Sequence, residues 1–199
     1  MIDPKEQLEH VWRRSIAKWR PAERRIYKLK QKPPLNGQAL KLNLRLEPAF
    51  NGDFISIIDG GLFCEIAPQA PTLNEKGYPT VEHDAPTRVV AKLGVPDVSG
   101  LVAAYEAVRL RHQPVPVYLR KGKKLEDKKA APTNLATFFH DTGDGTNTVI
   151  TWEFREDDSV LRMSKSKPQT QQITLTVGEE VVLYRYLLTS LDAMLEVGY

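Results

Sequence analysis

The last third of the chain leaves the fewest structural options. Four segments there have strand composition: Leu135–His140, Asn147–Arg155, Val160–Lys165 and Gln172–Val177. β-Branched and aromatic residues in alternation suit a pleated surface that is buried on one side. A long segment follows in which Val182, Leu183, Tyr186, Leu187, Ser190, Leu191, Met194 and Leu195 recur at helical spacing. Glu179 and Glu180 stand at its start, where the helix dipole favours negative charge.

The same order occurs once before, from Ala39 to His112. Leu40, Leu42, Leu44 and Leu46 alternate with Lys41, Asn43, Arg45 and Glu47, so one face is core and the other is basic. Asn51-Gly52 turns the chain into a second strand, Asp53–Ile58, and Asp59-Gly60-Gly61 into a third, Leu62–Ile66. An eighteen-residue loop, Gln69–Pro86, leads to a fourth strand at Thr87–Leu93 and a helix from Asp97 to Arg111. Val98, Leu101, Val102, Tyr105 and Val108 form its inner stripe. The expected fold is α+β: tandem ββββα repeats forming two antiparallel four-stranded sheets packed with two helices. Repeat one takes 36–113, a basic linker 114–134 and repeat two 135–199.

The first 35 residues read as a basic helix and linker. Asp3-Pro4-Lys5-Glu6 is a helix start, with an N-cap acid, proline at the first position and Glu three residues after the cap. Leu8, Val11, Trp12, Ile16 and Trp19 then share one face, and Pro21 stops the helix. Lys28–Asn36 follows as an extended linker. Charge is uneven here: residues 1–38 hold ten Lys/Arg against four Asp/Glu, in a chain of formal charge +3. A basic arm on a near-neutral body points to an anionic partner. The single cysteine, Cys64, excludes an internal disulfide framework and suits a small core residue. No segment reaches membrane-spanning length, and early charges stand where a secretory peptide needs an apolar run. A cytoplasmic protein is the expectation.

Three words in order carry a family resemblance. Asn36-Gly37-Gln38-Ala39-Leu40, running to Leu46-Glu47-Pro48, is similar to the first strand of the Whirly family of single-stranded-DNA-binding regulators. Gly61-Leu62-Phe63-Cys64-Glu65-Ile66-Ala67-Pro68 resembles its glycine-initiated strand ending in Ala-Pro. Phe138-Phe139-His140-Asp141 matches the words that open its second repeat. The family's lysine-rich motif is replaced here by Asn36-Gly37-Gln38. The resemblance implies a tetramer cored by helices, with single strands held along sheet edges by stacking and backbone contacts.

Sequence-tolerant binding of single strands needs cations for phosphates and flat side chains for bases. Outward cations by strand parity are Lys41, Arg45, Arg88, Lys92, Arg162, Lys165 and Lys167. Phe54 is either a stacking platform or core. Trp152, in phase with Ile150 and Phe154, belongs to the buried face. Tyr118 beside Arg120, Lys121, Lys123 and Lys124 offers a wet aromatic within a basic run, which is either a phosphate clamp or a solvated linker. Trp12, Trp19, Tyr186 and Met194 are the expected subunit contacts. Asp141-x-x-Asp144-Gly145 lacks calcium-loop spacing, with Trp152 where the terminal glutamate belongs. The four histidines form no i, i+4 ligand pair, and there is no phosphate-cradling loop or nucleophile elbow. No catalysis, metal, cofactor or small-molecule substrate is expected. The leading expectation is a homo-oligomeric single-stranded-DNA-binding protein serving replication, recombination or repair. The alternatives are an RNA-binding or annealing protein of the same fold, or a self-assembly protein with no nucleic-acid role.

Overall fold

A computed structural model describes residues 6, 21–51, 54–110, 135–141, 147–165 and 169–196, with backbone alone at 47–51, 54–59, 135, 139–141 and 196. The expected helix at the N-terminus and the basic linker before Leu135 lie outside these residues.

Two four-stranded antiparallel sheets form, each with its strands in chain order. The first holds β1 (Arg24–Lys28), β2 (Gln38–Asn51), β3 (Phe54–Pro68) and β4 (Val89–Leu93). Helix α1 (Val95–Tyr105) follows, its last turn widened to π-helical spacing over Glu106–Leu110. The second sheet holds β5 (Leu135–Asp141), β6 (Asn147–Phe154), β7 (Asp158–Lys165) and β8 (Thr170–Thr176), and α2 (Val177–Glu196) closes the chain.

The second sheet forms where alternation placed it, but the first departs from expectation in two ways. Arg24–Lys28, expected within the N-terminal arm, pairs with β2 from Arg24↔Leu42 to Lys28↔Gln38. An edge strand needs few apolar residues, and only Ile26 of this one is buried. The two strands expected at Asp53–Ile58 and Leu62–Ile66 are one: β3 runs unbroken through Gly60-Gly61. Gly61 has φ +148, and a Cβ there would stand 2.9 Å from the Leu93 carbonyl, so glycine permits the close approach of β4 and makes no turn. Pro48 sits at a bulge between Glu47 and Pro48, beyond the pairing of β1, where a missing N–H breaks no third-strand ladder.

Gly37 is fixed by a different approach. The buried Gln69 side chain accepts from the N–H groups of Lys30 (2.8 Å) and Gly37 (3.1 Å) and donates to the Lys30 carbonyl (2.6 Å). It therefore clasps the β1–β2 connection to the end of β3. A Cβ on Gly37 would lie 2.2 Å from the Lys28 carbonyl oxygen and 2.7 Å from the Leu29 Cα. Gly37→Ala should thus lower stability by about 1–3 kcal/mol through forced backbone movement. Urea midpoints measure this, and a loss below about 0.5 kcal/mol would contradict so tight an approach.

The inner faces of the sheets pack on each other, with Cys64 Sγ 3.7 Å from Met163 Sδ. Burial pushes the Cys64 thiol up to about 12, as suits an inert core residue. Both helices complete the same core. Val98, Leu101, Val102, Tyr105 and Val108 of α1 are buried, as their spacing requires. Tyr105 stacks on Tyr184 of α2 at 4.5 Å between ring centres. Thr176 and Glu179 form a reciprocal cap at the start of α2, and Lys28 of β1 donates to the same Glu179 carboxylate at 2.5 Å.

Tyr186 and Met194, expected at subunit contacts, are buried inside this core. The Tyr186 hydroxyl accepts the Leu44 N–H at 3.3 Å, just past the last residue that β1 pairs. Their i, i+4 spacing with Leu183, Leu187 and Ser190 marks the stripe of α2 turned toward its own sheets.

Candidate nucleic-acid interface

Strand register builds one basic, aromatic surface on the outer face of the first sheet. Arg25, Lys41, Glu65 and Val90 lie side by side across β1 to β4. The next row holds Asn43, Phe63 and Lys92, and the one after it Arg45 beside Gly61. With two residues between rows on one face, Lys41 and Arg45 stand roughly 13 Å apart along β2. The Arg45 guanidinium lies over the Phe63 ring, 4.9 Å from its centroid. Tyr27, 48% exposed, extends the face along β1.

One margin of this surface is closed by the long β3–β4 connection. The expected loop is an ordered hairpin-like excursion: Gln69 pairs with Val81, and the Ala70 N–H donates to the Thr80 carbonyl. The Asn74 side chain accepts the N–H groups of Lys76 and Tyr78 to make its tip. Its return leg lies against Glu65, which meets His83 Nδ1 at 3.1 Å and Arg88 at 4.0 Å. Arg88 also donates to the His83 carbonyl at 2.5 Å. Gln169 in the β7–β8 turn and Gln171 of β8 donate to the Pro86 and Thr87 carbonyls, so this leg reaches the second sheet as well.

The candidate cations therefore separate. Lys41, Arg45 and Lys92 share the outer face of the first sheet, and Arg88 stands at its margin, held by the hairpin and Glu65. Arg162 is on the outer face of the other sheet, beside Thr151 and Gln172, and donates to the Gln172 side chain at 3.2 Å. Because the inner faces meet, that face looks the opposite way. Lys165 shares the parity of buried Met163 and Leu161, so it is not an outward strand cation; its N–H closes the β7–β8 turn on the Gln169 carbonyl. Phe54 lies on β3, and its side chain is outside the described set, as are Tyr118, Arg120, Lys121, Lys123, Lys124, Lys167, Trp12 and Trp19.

Three members of the face escaped sequence reasoning. Phe63 alternates with the buried Leu62 and Cys64 and shares parity with Glu65, a signal that strict period-two accounting would have found. Arg25 and Tyr27 were hidden because their strand offers a single buried apolar residue within a basic stretch.

The described residues form an α+β protein with two meander sheets around one core and a cationic, aromatic surface on the outer side of the first sheet. No family model matches the chain, and neither a curated protein nor a solved structure matches it significantly. Among the described residues, no helix is long and apolar enough to cross a membrane.

Proposed function

We propose that this is a non-catalytic, Whirly-like single-stranded-DNA-binding protein, largely indifferent to sequence, acting on strands exposed in replication, recombination or repair. On this reading the two successive four-strand-and-helix units are tandem copies of one module. The observation that carries it is Arg45 over Phe63 on the outer face of the first sheet. A guanidinium beside a ring supplies both a phosphate partner and a base-stacking surface. Lys41 and Lys92 on neighbouring rows add charge for a backbone running across the face.

Self-association is the second half of the proposal. Besides its buried stripe, α2 carries Val177, Val181, Tyr184, Leu188, Leu191 and Leu195 at alternating spacings of four and three. Val177, Val181 and Leu195 are exposed, while Tyr184, Leu188 and Leu191 are half-buried. Tyr184, Leu188 and Leu191 already pack against this chain's own core, which leaves Val177, Val181 and Leu195 as the exposed part of the seam for contact between copies, in place of Tyr186 and Met194. The same seam favours the rival class, a self-assembly protein without a nucleic-acid role.

Binding of a fluorescent oligo-dT strand separates the two. Single strands should bind more tightly than duplex of equal length, with affinity falling steeply in salt. Phe63→Ala should weaken binding by about 1–3 kcal/mol. Lys41→Ala with Arg45→Ala should flatten the logarithmic salt slope by roughly 1.4, at ~0.7 for each lost phosphate contact. Equal, feeble binding to strand and duplex would support pure self-assembly. A parallel series with ribose oligomers distinguishes DNA from RNA preference.

A further inference from the structure

Arg25 and Lys41 are directly opposite each other on adjacent strands, both on the outer face. Two like charges so placed repel and destabilise the pairing unless an anion lies between them. Glu23 supplies that anion: one carboxylate oxygen accepts from Arg25 Nε at 2.6 Å, and the other lies 3.3 Å from Lys41 Nζ. Tyr27 adds a hydroxyl, 3.2 Å from the Arg25 guanidinium.

We propose that Arg25 and Lys41 form a phosphate subsite that Glu23 occupies in the free protein, so that this carboxylate competes internally with the phosphodiester backbone. The inference deepens the single-strand reading and rests on it. A guanidinium and an ammonium that bracket a carboxylate present the donors that a phosphodiester needs. Glu23 precedes β1 and belongs to no strand, so its departure breaks no ladder hydrogen bond. Its side chain keeps 32% exposure, which gives it a path to water. Burial tends to raise its carboxyl, but hydrogen bonds from Arg25 and Lys41 outweigh this and hold it below the usual carboxylate range. The competitor is therefore ionised at neutral pH. It sets a threshold: a strand must offer enough phosphates at once to displace it.

The test is oligo-dT binding by the full chain across a salt series, comparing wild type with Glu23→Gln, Glu156→Gln, Arg25→Ala and the double variant Glu23→Gln/Arg25→Ala. Glu156 is exposed in the β6–β7 turn, so its replacement makes the same change in net charge away from this face. Glu23→Gln should tighten binding about twofold to fivefold, the scale of an exposed ion pair. It should also steepen the salt slope by ~0.7. Glu156→Gln should leave affinity within about twofold, as expected for a distant surface charge screened by salt. Arg25→Ala should weaken binding and abolish the gain from Glu23→Gln. Equal gains from Glu23→Gln and Glu156→Gln, or a Glu23→Gln gain that survives Arg25→Ala, would overturn the subsite. If wild type binds single strands and Glu23→Gln changes nothing, the competitor alone is refuted. If wild type does not prefer single strands to duplex, the single-strand reading fails and takes the subsite with it.

Discussion

Glu180→Ala is expected to cost about 3–5 kcal/mol of stability, the scale for breaking a buried ion pair from one side. Glu180 is fully buried in the first turn of α2, where the helix dipole favours its charge. It accepts two hydrogen bonds from Arg109, Nε to Oε2 at 3.0 Å and a terminal nitrogen to Oε1 at 2.9 Å. Arg109 comes from the widened last turn of α1, donates also to the Asp158 carbonyl at 2.9 Å and lies over Phe154. One pair thus joins both helices and the start of β7. Removing the carboxylate leaves a largely buried guanidinium with one backbone acceptor and a ring. The effect should be strongly non-additive: Arg109→Met/Glu180→Leu, which removes both charges and keeps volume, should lie far closer to wild type than Glu180→Ala does. Urea unfolding of the three proteins measures this. A loss under about 1 kcal/mol for Glu180→Ala would place the pair in solvent contact, since that is the range of exposed ion pairs.

Trp152→Ala should be of similar size, about 3–5 kcal/mol. Trp152 is fully buried, its ring 4.6 Å from Phe154 and 5.7 Å from Tyr105, and its indole N–H donates to Ser159 Oγ at 2.9 Å. Alanine leaves a cavity where the second sheet meets α1 and strands a buried hydroxyl. Trp152→Phe separates the two contributions. It keeps most of the volume but leaves the Ser159 hydroxyl without its donor, and should cost about 1–3 kcal/mol. Near-UV circular dichroism alongside urea melts reads both, because the aromatic cluster loses its fixed packing when the ring is gone. A near-wild-type melt for Trp152→Ala is the outcome this packing forbids.

Much of the second sheet was legible because its strands obey one rule each. In β6, Thr148, Ile150, Trp152 and Phe154 are buried and the residues between them are not, so alternation alone locates the strand and its inner face. The α1 stripe was equally plain. What failed in the first sheet were residues with two meanings. Pro48 and Gly60-Gly61 carry the chemistry of turns, yet one marks a bulge and the other a close crossing by β4. A single buried isoleucine among Arg24–Lys28 cannot announce a strand, because an edge is defined by the neighbour it pairs with. The cations of the face were partly visible, since Lys41 and Arg45 oppose four leucines. Arg25 and Glu23 could not be joined to them before the register of β1 was known. Tyr186 and Met194 were expected at subunit contacts because a helix with apolar residues around much of its circumference does not say which stripe is taken by its own sheets.

The length of β2 and β3 has a mechanical consequence. β1 pairs no further than Leu42 and β4 no further than Leu62, so from Arg45↔Gly61 to Asn51↔Phe54 β2 and β3 are in ladder pairing with no other described strand. A two-stranded ribbon is marginally stable by itself, and the Tyr186 hydroxyl accepts the Leu44 N–H where the third strand ends. Arg45 is the first residue past it. Arg45 therefore stands next to the point at which this ribbon is tied to α2.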